Sequence, residues 1–142
     1  MKFAEHIKVT NTGTHYETKV IAGNHLLSTD EPLDHGGQDK GPTAHQMLLS
    51  ALGACTAITL RMYADRKQWD LQKIHVYLNM EKVMDGTEEI TKIYQRLEFE
   101  GNLDVDQIKR LKIISEKCPV HKTLVGRVIV EDGIKIKKNF EH

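Results

Sequence analysis

From Pro42 to about Lys67 the chain carries a helical repeat with almost no polar face, and this segment constrains the fold more than any other. Met47, Leu48, Ala51, Leu52, Cys55, Ile58, Thr59 and Met62 recur at helical spacing, and Pro42 suits a first helical turn. The first two-thirds of the helix are apolar nearly all round. Such a helix has to be covered on several sides, so in a chain of 142 residues it is expected at the centre, enclosed by sheet or by a second subunit. Arg61, Asp65, Arg66 and Lys67 mark its return to solvent. The longest mostly apolar stretch, Met47 to Leu60, is interrupted by Ser50, Thr56 and Thr59 and is too short to cross a bilayer, so no membrane partner is expected.

Strands surround this helix in the sequence. Phe3 to Thr10, His15 to Ala22 and His25 to Thr29, separated at Asn11-Thr12-Gly13-Thr14 and Gly23-Asn24, predict a β-meander. Glu31 to Pro42 holds too many glycines and prolines for a regular element and reads as a functional-length loop. After the helix, Ile74 to Met84 and Ile90 to Glu100 alternate as strands around Asp85-Gly86-Thr87. Asp104 is placed to cap a second helix running to Lys117, and Arg127 to Val130 with Ile134 to Lys138 predict a last hairpin around Glu131-Asp132-Gly133.

With 39% apolar and 28% charged residues, the chain suits one globular domain spanning residues 1–142. Its formal net charge is zero and its 20 basic residues form no run of five, so neither nucleic acid nor an anionic membrane is an expected partner. Met1-Lys2-Phe3-Ala4-Glu5-His6 lacks the apolar core of a secretory signal, which predicts a soluble, cytoplasmic protein. In a reducing compartment two cysteines are a poor structural staple. Catalytic or sensing chemistry at Cys55 and Cys118 is the better expectation.

Cys118 precedes Pro119, which suits the first position of a helical turn, so Cys118 is expected as an N-cap with backbone N–H groups aimed at its sulfur. His121 and Lys122 follow within one turn, and all three effects favour the thiolate. Cys55 lies among Gly53, Ala54, Thr56 and Ala57, small residues that leave room for a substrate or another helix to approach. Burial alone would raise its pKa, and the sequence names no partner that would activate it. Because free cysteine is also among the most buried residue types, both could be ordinary core.

Cys118-x-x-His121 has half the spacing of a zinc site without a second close pair, so no metal is expected. The Gly36–Pro42 loop lacks the Gly-Lys-Ser/Thr order of a phosphate loop, and no cofactor is implied. No Gly-x-Ser-x-Gly elbow supports Ser50 or Ser115 as nucleophile. Cys118 with His121 as base would allow a thiol hydrolase or transferase.

Gly41-Pro42-Thr43-Ala44-His45-Gln46-Met47-Leu48-Leu49-Ser50-Ala51-Leu52-Gly53-Ala54-Cys55-Thr56 resembles the central helix start of the OsmC/Ohr superfamily, and Cys118-Pro119-Val120 resembles its second motif. Gly36-Gly37 and Leu60-Arg61-Met62-Tyr63-Ala64 place the resemblance in the general OsmC branch rather than the typical organic hydroperoxide resistance branch. The resemblance implies an α+β fold in which antiparallel sheets wrap two long central helices in an intertwined homodimer. It implies that Cys55 attacks a hydroperoxide, that Cys118 resolves the sulfenic acid as a disulfide, and that a dithiol reductant such as a lipoylated protein restores both. The thiolate argument instead favours Cys118, so the two lines of reasoning assign the roles differently.

The family's peroxidases carry a glutamate ten residues before the first cysteine and an arginine in the N-terminal strands. Here position 45 is His45, and no arginine precedes Arg61, which leaves His45, with Lys19 or Lys40, to stand in. The resulting expectation is a thiol-dependent peroxidase for organic hydroperoxides or hydrogen peroxide in stress defence, with Cys55, Cys118 and His45 at the site and Met47, Leu48, Trp69 and His121 around a substrate pocket. A non-enzymatic redox sensor, or a binder of small hydrophobic ligands, is the alternative.

Overall fold

The computed structural model describes residues 7–138. It is an α+β arrangement of two antiparallel sheets and three α-helices. Strands β1 (Ile7–Asn11), β2 (Thr18–Ala22) and β3 (His25–Thr29) form the expected meander; of the first predicted strand, residues 3–6 lie outside the described region. The β1–β2 connection is wider than predicted because the Asn11 side chain organises it. Its Oδ1 accepts from the Gly13 N–H at 2.9 Å and its Nδ2 donates to the His15 carbonyl at 3.1 Å, holding residues 12–17 out of the ladder.

Helix α1 spans Ala44–Lys67. It starts later than Pro42 because Thr43 is the cap. The Thr43 hydroxyl accepts from the Gln46 N–H at 3.1 Å, and the Gln46 side chain accepts from the Thr43 N–H at 2.9 Å. Leu52, Gly53, Thr56, Leu60, Tyr63 and Ala64 are buried. Gly53 permits a close approach to the following hairpin, since a Cβ there would lie 2.7 Å from Leu78 Cδ1. The opposite side is bare in the single chain, where Ile58 is 54% and Met62 66% exposed. At 24 residues, with a mean hydropathy of 1.4 over its most apolar window, α1 is longer than the apolar stretch read from the sequence and meets the length and composition test for crossing a membrane. Its buried residues nonetheless pack within this fold.

The hairpin strands β4 (Asp70–Asp85) and β5 (Glu88–Asn102) run several residues beyond their predicted ends around a turn with Gly86 at φ 65°. Arg61 fastens α1 to the start of β4 by donating to the carbonyls of Leu71 and Gln72. Helix α2 (Val105–Ser115) begins at a second capping box, Asp104 with Gln107, and α3 (Pro119–Val125) follows directly. Leu60, Tyr63, Ala64, Leu71, Leu111 and Ile114 form the core between α1, β4 and α2, with Trp69 packed against it.

The predicted hairpin at 127–138 is not formed: this described segment has no regular structure. A lone two-stranded ribbon is marginal without a face to pack on, and here Val130 is 77% and Ile134 94% exposed.

Candidate functional site

The fold brings the two cysteines together. Cys55 sits one turn after Leu52 on α1, half-buried, and α3 is docked so that Cys118 is completely buried against it. The two thiols are near enough to shift each other's titration. Cys118 is the N-cap of α3, as its position before Pro119 predicts, and its Sγ accepts from the His121 backbone N–H at 3.5 Å. The fully buried Thr56, adjacent to Cys55, contributes a hydroxyl between the Cys118 sulfur and Gln95 Oε1, the latter at 3.1 Å. That hydroxyl has one proton, which serves one of these two acceptors at a time.

The pair is electrostatically asymmetric. Burial pushes the Cys55 thiol up, and contact with Cys118 pushes it further, against weaker opposition from the Val120 N–H and the Thr59 hydroxyl. Burial also pushes Cys118 up, but the Cys55 thiol, the N–H groups of His121 and Val120 and the Thr56 hydroxyl outweigh it and hold Cys118 below the ordinary thiol range. The two thiols are thus shifted in opposite directions.

A cavity of about 230 Å³ is lined by Leu52, Thr91, Ile93, Gln95, His121, Leu124 and Val125, and neither cysteine lines it. Nδ1 of His121 is buried without a hydrogen-bond partner. The cavity is otherwise mostly apolar, with Thr91 and Gln95 as its other polar lining groups.

The remaining predicted site residues lie elsewhere in the single chain. His45 is exposed in the first turn of α1, ten residues and about 15 Å of helical rise before Cys55. Met47 is half-buried and Leu48 is 40% exposed, and neither lines the cavity. Trp69 belongs to the core, its ring edge-on to Tyr63 at 5.4 Å. Lys19 donates to Ser28 at 2.8 Å, and Lys40 acts on Asp30. Sequence reasoning missed Thr59, although its position one turn after Cys55 puts it on the same helical face. It also missed Gln95, whose proximity depends on hairpin docking that no local pattern encodes.

The OsmC family model, described as OsmC-like protein, matches residues 37–131, more than half of the chain. No curated protein matches it. Among solved structures, an OsmC-like protein of Mycoplasma pneumoniae superposes with a TM-score of 0.71 at 23% identity, over 89% of this chain and 90% of that one. A Psychrobacter arcticus protein named for osmotic stress induction and detoxification response gives a TM-score of 0.71 at 22% identity, over 87% and 90%. The organic hydroperoxide resistance protein OsmC of Legionella pneumophila, also described as a predicted redox protein, gives 0.63 at 16%, over 84% and 88%. At these identities the likeness is one of fold.

Proposed function

For this chain, which belongs to the OsmC-like protein family, we propose a two-cysteine thiol peroxidase that reduces organic hydroperoxides or hydrogen peroxide in stress defence. The observation that carries the reading is that the fold makes Cys55 and Cys118 neighbours that shift each other's titration, although they stand 63 residues apart in sequence (118 minus 55). Two neighbouring cysteines can be bridged when their Cα atoms stand within about 7 Å. In the cycle, a cysteine sulfur attacks a peroxide oxygen, forming an S–O bond as the O–O bond breaks and an alcohol or water leaves. The other sulfur displaces water from the sulfenic acid, and a dithiol reduces the disulfide by exchange. The names of the Legionella structure and of a Jannaschia OsmC-like hydroperoxide resistance protein agree with such a role.

The working form in this reading is a cytoplasmic homodimer. Ile58 and Met62 on α1, Ile7, Val9 and Leu26 on the meander, and residues 128–136 leave large apolar side chains uncovered in one chain. A second copy would cover them.

Consumption of cumene hydroperoxide and of hydrogen peroxide, with dithiothreitol or a lipoyl dithiol as reductant, tests the proposal. Continuous turnover by the wild type and none by Cys55→Ser is the expected result; a wild type that leaves both peroxides intact refutes it. The cavity lined by Leu52 and His121 favours a second reading, a binder of small ligands pairing an apolar body with a group that hydrogen-bonds His121 Nδ1. Such a protein would bind without turnover.

A further inference from the structure

Away from the cysteines, the last turns of α1 gather positive charge around one buried phenol. Tyr63 stands eight residues (63 minus 55), about 12 Å of helical rise, beyond Cys55. Its ring is held in the core, edge-on to Trp69. Arg66 and Lys67 follow at three and four residues on the same helix, so their side chains return over the ring. The Arg66 guanidinium lies 5.3 Å and the Lys67 ammonium 5.7 Å from its centre. Arg110 arrives from α2, its guanidinium 5.8 Å from the same centre. Basic residues suit the C-terminal end of a helix, which accounts for Arg66 and Lys67 but not for Arg110. Among the described residues, none of the three cations lies within ion-pair distance of a carboxylate, and Asp65, next along α1, is held by Arg61.

The hydroxyl supplies a second, independent observation. Arg110 Nε donates to Tyr63 Oη at 3.1 Å, so the phenol is the acceptor of that bond and its own proton still needs one. No described residue accepts it, although Tyr63 is only 8% exposed. Three uncompensated cations and an unaccepted O–H fit the same occupant, a group with several acceptor oxygens and more than one negative charge. A carboxylate brings two oxygens and a single charge, whereas a phosphate monoester brings three and close to two charges. We propose that Tyr63, Arg66, Lys67 and Arg110 form a binding site for a soluble phosphate-bearing molecule, separate from the cysteine pair and independent of the peroxidase reading. The Tyr63 O–H donates to one phosphate oxygen, the Nη groups of Arg110 and Arg66 to others, and Lys67 adds a point charge. The phenol is fixed by its packing, and the three exposed side chains adjust around the ligand.

The test is a calorimetric titration of the full chain with inorganic phosphate at neutral pH, at an ionic strength held constant with potassium chloride. Phenyl phosphate and vesicles containing phosphatidic acid are separate arms. Saturable binding of one phosphate per chain is expected, with phenyl phosphate competing for it and the vesicles capturing no more protein than neutral ones do. Losing a hydrogen bond to a charged group weakens binding about tenfold or more, so Tyr63→Phe and Arg110→Gln should each do so. The second change lies at an exposed position and leaves the core intact. No heat beyond that of the chloride control overturns the site, as does phosphate binding that Arg110→Gln leaves unchanged. Capture by the phosphatidic acid vesicles without binding of either soluble phosphate overturns the assignment to a soluble ligand.

Discussion

At the scale of single residues, the account depends on the unequal environments of Cys55 and Cys118. Placing Cys118 at an N-cap required only the local Cys-Pro sequence, and the capping hydrogen bond follows from it. The burial of that sulfur was not legible, because it depends on α3 folding back onto α1, and its pairing with Cys55 was expected only through the family resemblance. Since Cys118 is held below the usual thiol range, ultraviolet thiolate absorbance of Cys55→Ser, whose serine keeps a donor, should persist below the ordinary thiol pKa of about 8.5. Cys118→Ser should show no such signal. Asp30 makes a separate residue-scale prediction. Burial raises its pKa, but N–H groups of Lys40, Glu31 and Gln38 and the Lys40 charge outweigh this and leave it lowered. A carboxyl depressed in the folded state stabilises the fold above its unfolded value of about 3.9 and loses that contribution as pH falls through the folded pKa. Asp30→Asn should lower the melting temperature at neutral pH and flatten its acid-side decline, as thermal melts across the acid range would reveal.

At the scale of elements, helical periodicity located α1, and alternation located the β4–β5 hairpin. Their ends were harder to read, because Thr43 and Gln46 fix the start of α1 through side-chain bonds rather than through Pro42. The loop at 31–42 was recognisable from its glycines, but not the reason for them. A Cβ at Gly37 would strike the Glu31 carbonyl, and one at Gly41 the Ser28 carbonyl, so the loop folds back against the end of β3 and sets where α1 begins. Gly37→Ala and Gly41→Ala should each cost about 1–3 kcal/mol, the usual penalty for overpacking, measured by denaturant unfolding. Leu60, fully buried where α1 meets β4 and α2, should cost about 2–5 kcal/mol as Leu60→Ala.

At the scale of the molecule, the helix without a polar face led to the expectation of cover on several sides. One side of α1 packs on its own hairpin, while Ile58 and Met62 remain exposed. The strand alternation at 127–138 was legible, whereas the absence of a surface for it to join was not, since periodicity specifies a face and not its partner. If a second copy supplies that surface, the unfolding midpoint should rise with protein concentration, and amides at 127–138 should gain hydrogen-exchange protection on the same concentration scale. A midpoint independent of concentration, with that segment unprotected throughout, would contradict the homodimer.

The most direct test of the central claim is the intact mass of the reduced protein after one equivalent of cumene hydroperoxide. The account predicts the loss of two hydrogens, with neither Cys55 nor Cys118 open to alkylation until a dithiol is added. An unchanged mass with both thiols still alkylatable, or a stable gain of oxygen without a cross-link, would contradict it.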